Sequence, residues 1–187
     1  MQPTEYLAIK FNTMNTFYQY FLNSGFTTHS NTDYFNFGAY KKGANFIFLK
    51  YTDYYFFKKL TQNNLSLTEV ETIHLKSIEI ANKDFTLPKA LRLHVPNINT
   101  VIITNTTPNS EILEYINHLN KSIVGGQQDS IFILDVENET LYTNDVEKTK
   151  IIGEAKLIWG DQKEFKKING KNRAYYTMID FYKNQFK

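Results

Sequence analysis

The chain has 187 residues, 42% of them hydrophobic and 16% aromatic, and its 21 Lys or Arg against 19 Asp or Glu give a formal net charge of +2. That length suffices for a single domain with a sizeable core, and so small a net charge implies no particular partner. The absence of cysteine excludes disulfides, thiolate nucleophiles and Cys-type zinc sites together. No run approaches the roughly 18 apolar residues of a membrane span. The opening Met1 to Tyr6 lacks the basic region and apolar stretch of a secretory signal. The expectation is a cytoplasmic protein with no membrane partner.

From the N-terminus, Tyr6 to Phe11 reads as a short strand. It is followed by a helix over 13–24, whose Met14, Phe17, Tyr18, Phe21 and Leu22 recur at the spacing of one helix face. Phe35 to Tyr40 and Phe46 to Tyr51 then read as a hairpin turning at Lys42-Gly43. Ser66 and Glu69 have the spacing of a capping box, yet Ile73-His74-Leu75-Lys76 and Ile78-Glu79-Ile80 alternate with the period of a strand. The reading favours a strand over 72–81. Leu91 to Val95, bracketed by Pro88 and Pro96, fits an edge strand, where a missing N–H does least harm. Val101 to Ile103 is another strand. Thr107 and Pro108 then open a helix to about residue 120, because proline costs little at a first helical position. Ile131 to Val136 and Leu141 to Thr143 form a second hairpin around Glu137-Asn138, and Ile151 to Trp159 reads as a strand. Gly170 should break a polar segment after Gly160, and Tyr175 to Phe186 should form a terminal amphipathic helix.

The pattern therefore repeats at an offset of 94 residues, Tyr18 and Leu22 answering to Ile112 and Ile116. The fold class expected is α+β: two fused βαβββ-type halves (5–81 and 98–159) with mixed or antiparallel sheet, and a basic helical C-terminal extension (160–187), all in one domain. This order resembles the vicinal oxygen chelate superfamily of glyoxalase-like and bleomycin-resistance-like proteins. The segments that carry the likeness are Phe17 to Phe26, like that family's FY…LGF-type helix, and Phe132 to Leu141, like its DPDGN-type turn. The family's metalloenzymes hold a metal with His, Gln or Glu. Tyr142 stands here where a Glu is expected, so the resemblance implies apolar ligand binding without the metal.

A second resemblance concerns Glu154 and Lys156, which alternation places on one face of the last strand. With Asp145 or Asp135 as a further acid, they resemble the PD-(D/E)xK nuclease core, in which carboxylates hold Mg²⁺ and the lysine helps to activate water. The alternative reading is a half-exposed strand whose Glu154 and Lys156 form a surface pair of little energetic consequence. Residues 148–187 hold ten Lys or Arg against four Asp or Glu. Lys163, Lys166, Lys167, Lys171 and Arg173 there offer phosphate contacts to a nucleic acid, or simply cover the outer face of a terminal helix. The four histidines, His29, His74, His94 and His118, lack the spacing of a metal-binding helix and read as structural or solvated. No P-loop, GxGxxG or GxSxG pattern occurs.

The sequence thus leads to a non-catalytic binding protein without cofactor, presenting a sheet face or inter-half cleft to a small apolar ligand or protein partner. The alternatives are a Mg²⁺-dependent nuclease acting on nucleic acid and a structural or assembly subunit.

Overall fold

The computed structural model describes residues 14–30, 32–45, 49–61, 65–86, 94–121, 127–143 and 170–186. It is an α+β structure with a mixed six-stranded sheet in the order β1 to β6. Helix α1 spans 14–23 and is followed by β1 (Thr27–Thr28), β2 (Phe37–Asn45), β3 (Leu49–Lys59), α2 (Leu67–Lys83) and β4 (His94–Thr104). Then come α3 (Ser110–Lys121), β5 (Gln128–Asp135), β6 (Thr140–Tyr142) and the C-terminal helix α4 (Gly170–Phe186). Strands β1 to β3 form an antiparallel meander. β3, β4 and β5 are parallel, each joined to the next through a helix, and β6 returns antiparallel to β5.

Helices cover both faces of this sheet, which explains why its central strands read as nearly continuous apolar runs. Tyr55, Phe57, Val101, Ile103, Phe132 and Leu134 pack with Phe17 and Phe21 of α1 and Ala174, Met178 and Phe181 of α4. Tyr54, Phe56, Ile98, Ile102, Ile131 and Ile133 point the other way, against Val70, Ile73 and Ile80 of α2 and Ile112 and Ile116 of α3. Alternate residues of each strand thus serve opposite cores.

Several expectations are corrected. Residues 72–81 are helical, inside α2, and Ser66 caps that helix by accepting the Glu69 N–H at 3.2 Å. The helix period buries Val70, Ile73, His74, Ser77, Ile80 and Ala81, whereas the strand reading would have buried Leu75, which is 63% exposed. The first hairpin does not turn at Lys42-Gly43: β2 runs through both to Asn45 and is paired with β3 down to Leu49. His94 and Val95 begin a central strand, β4, rather than an edge. Pro96 is tolerated because β5 joins β4 only from Asn97 onward, leaving Pro96 flanked on one side. α3 starts at Ser110, with Asn109 accepting the Ile112 N–H at 2.9 Å as its cap, so Pro108 precedes the helix. The terminal helix α4 begins at Gly170, ahead of the expected Tyr175, and the polar segment expected before it lies outside the described residues.

The α1 helix and the hairpin at Glu137-Asn138 form as expected. The proposed strands over 6–11 and 151–159 lie outside the described residues. With 72–81 helical, those residues do not display two βαβββ halves. No helix among them is long and apolar enough to cross a membrane.

Candidate functional site

Just past the α2 C-terminus, Asp84 and Phe85 meet side chains of β3 and the start of β4, beside a polar cleft of about 490 Å³. Thr28, His29, Tyr40, Lys42, Thr52, Tyr54, Asp84, Phe85 and His94 are among the residues that line it. Strand register sets these side chains out in rows on one face. Tyr40 is opposite Tyr54, and Lys42 is opposite Thr52. His94 is opposite Lys50.

Asp84 organises the inner end. It is the C-cap of α2, where the helix dipole disfavours a carboxylate, yet two aromatic side chains hold it there. The Tyr54 hydroxyl donates to Asp84 Oδ2 at 3.0 Å, and His29 Nε2 lies 3.1 Å from the same oxygen. A carboxylate oxygen only accepts, so the His29 ring carries its proton on Nε2. His29 is 3% exposed and is walled by Tyr40, Tyr54 and Phe56 in edge-on contacts. Burial, and then the charge of Asp84, raise the Tyr54 hydroxyl far above its ordinary value, so it stays a donor. Both bonds fall on Oδ2; Asp84 Oδ1 receives none from the described side chains. The Asp84 side chain is 36% exposed, so a fixed carboxylate meets the cleft.

The other end is cationic. His94 Nε2 lies 2.6 Å from the buried Thr52 hydroxyl, and the Phe85 ring packs edge-on to the imidazole at 5.3 Å. Burial lowers the His94 pKa, and the charges of Lys42 and Lys50 lower it further. The imidazole is therefore neutral at neutral pH. Lys42 Nζ sits over the Tyr40 ring at 5.6 Å.

A second polar cluster occupies the opposite face. Arg173 of α4 makes two bonds to Asp53, Nε to Oδ2 at 2.9 Å and Nη2 to Oδ1 at 2.8 Å, and lies over the Tyr51 ring at 3.7 Å. Asn97 Nδ2 donates to Asp53 Oδ1 at 2.6 Å. Gly43 makes room for this arrangement, since a Cβ there would fall 2.3 Å from the Tyr51 ring.

Of the sequence-predicted residues, Asp135 is fully buried and accepts four hydrogen bonds. Thr107 Oγ1 and Asn138 Nδ2 donate to Oδ2, and the N–H groups of Glu137 and Asn138 donate to Oδ1. Burial raises its pKa, but these bonds outweigh it and the net shift is downward. With both oxygens occupied, Asp135 organises the β5–β6 turn. Arg173 faces Asp53 rather than solvent, and Lys171 lies in the first turn of α4. Asp145, Glu154, Lys156, Lys163, Lys166 and Lys167 lie outside the described residues. His118 is exposed, as expected; His74 is buried near Tyr115 and Asp129, away from the cleft. Among the described residues, no three His, Asp or Glu side chains are grouped to hold a metal ion.

Sequence reasoning did not single out Tyr40, Thr52, Tyr54 or Asp84, whose partners lie tens of residues away. The one local signal was an aspartate after the last turn of a helix, in a place better suited to a cation. No family model, curated protein or solved structure matches this chain.

Proposed function

We propose that the protein binds a small polar ligand in the cleft beneath the α2 C-terminus. The observation that carries this reading is the pinned Asp84 carboxylate, which lines the cleft with Tyr54 and His29 both on its Oδ2 and its side chain 36% exposed. Protein sites commonly break a local rule where a side chain serves a ligand, and an acid at a helix C-terminus is such a break. Thr52 and His94 add a second fixed polar pair. The partly exposed rings of Tyr40 and Phe85 supply apolar surface around a few placed polar groups, which is the usual composition of a ligand site.

The ligand proposed is polar rather than apolar, because helices cover both greasy faces of the sheet and this cleft is lined by hydroxyls, imidazoles and charges. The test is thermal unfolding of the full chain against a library of small polar metabolites. A true ligand at about a hundred times its Kd adds about 2.7 kcal/mol, which raises Tm by about 5–10 °C in a chain of this size. Asp84→Asn should remove most of that gain. Stabilisation by no compound, or equal stabilisation of wild type and Asp84→Asn, would contradict the proposal.

A further inference from the structure

We propose that the ligand of this cleft is a nucleoside monophosphate, its base edge at Asp84 and its phosphate at Lys42 and Lys50. The inference rests on the cleft being a ligand site and adds the chemical class of the occupant.

Three observations point the same way. The cleft is bipolar along the strands. Asp84 is bonded to the Tyr40–Tyr54 row and Lys42 is in the next row beside Thr52, both lining the cleft, while Lys50 is in the row after, at the edge of the cleft opposite His94. Residues two apart on a strand are separated by about 7 Å and those four apart by about 13 Å. The ligand must therefore carry a donor at one end and an anion well away from it. A free amino acid, with ammonium and carboxylate on the same carbon, is too short for that. A nucleoside monophosphate, with its base edge and phosphate on opposite sides of a sugar, matches it.

Two partly exposed rings, Tyr40 and Phe85, flank the buried Tyr54 at 6.2 and 6.4 Å, and Phe85 is 5.3 Å from His94. A flat heterocycle finds ring surface on Tyr40 and Phe85, and stacking of this kind tolerates any base. The polar groups are also of the right kind. Asp84 Oδ1 accepts an N–H, which every nucleobase offers on its pairing edge, while the flexible lysines suit phosphate as mobile point charges. Neutral His94, fixed by Thr52, adds a hydrogen-bonding group beside the phosphate without fixing its charge.

The experiment is titration of the full chain with the four ribonucleoside 5′-monophosphates. The corresponding nucleosides and inorganic phosphate serve as separate probes, followed by backbone amide shifts. Each monophosphate should bind at least about tenfold more tightly than its nucleoside, weaken as salt rises, and shift the amides of Tyr40, Thr52, Tyr54, Asp84 and His94. In Lys42→Ala/Lys50→Ala, at two exposed positions, the difference between monophosphate and nucleoside should vanish. In Asp84→Asn both should weaken together, leaving the difference intact. Equal binding of nucleoside and monophosphate overturns the phosphate assignment, and phosphate binding as tightly as the monophosphate overturns the base assignment. If other small molecules shift the cleft amides and no monophosphate does, this inference fails while the ligand site stands. If no small molecule shifts them, both fail.

Discussion

Arg173 belongs to α4 but its guanidinium serves the sheet, sandwiched between the Asp53 carboxylate and the Tyr51 ring. Both charged side chains are mostly buried, at 15% and 9% exposure. Removing one partner of such a pair strands the other, at a cost of about 3 kcal/mol or more. Arg173→Ala should therefore lose about that much in urea unfolding, while Asp53→Leu/Arg173→Leu recovers most of it because no lone charge remains. His94 gives a pH signature. Its native pKa lies below the unfolded value of about 6.5, so native His94 resists the proton that the unfolded chain accepts. Its contribution is complete above that pH and is lost as pH falls toward the native value. Stability measured from pH 7 to pH 5 should fall less steeply in His94→Gln than in wild type. Asp135 behaves likewise at lower pH. Its native pKa is depressed below an unfolded value of about 3.9, so its stabilising contribution is present above that pH and disappears as pH falls through the native pKa. Asp135→Asn should flatten that part of the acid limb. None of these roles was legible in the sequence. Asp135 was picked out as an acid and Arg173 as a cation, but what each faces depends on partners brought in by the fold.

At the scale of elements, α1 was legible from the spacing of its apolar residues, while the way it ends was not. Gly25 adopts φ 77° and its N–H donates to the Leu22 carbonyl, the Phe26 N–H donates to the Phe21 carbonyl, and the Phe21 and Phe26 rings meet at 4.8 Å. These are the paired bonds and apolar contact of a Schellman cap. Gly25→Ala, forced into a left-handed conformation, should cost about 1–2 kcal/mol in denaturant unfolding. The segment 72–81 was misread because its residues satisfy both periods in part. Ile73 and Leu75 alternate, and so do Ile78 and Ile80, but the two pairs are offset by an odd number of positions, so one strand face cannot hold both, whereas the helix buries Ile73 and Ile80 and exposes Leu75. The Ser66 cap and the long amphipathic run were the better guide, and Ser66→Ala should destabilise by about 1 kcal/mol. Gly43 was misread as a turn residue because glycine marks turns more often than close approaches. Its role lies across the sheet: Gly43→Ala should displace the Tyr51 ring, weaken its stacking on Arg173, and cost about 1 kcal/mol.

The molecule as a whole is a sheet covered on both sides. The sequence suggested a sheet face or an inter-half cleft as the binding surface. α1 and α4 occupy one face and α2 and α3 the other, and the polar cleft lies beside the α2 C-terminus. The class of the fold, its mixed sheet and its C-terminal helix were readable from the periodicity of apolar residues. The cleft was not, because its contacts join positions 30 to 55 residues apart and no alternation reports on them. The most direct test of the central claim is amide chemical-shift mapping of the full chain against cocktails of small polar compounds. Shifts should concentrate at Thr28, His29, Tyr40, Thr52, Tyr54, Asp84 and His94. Shifts scattered over the surface, or gathered at the Asp53–Arg173 cluster instead, would contradict it.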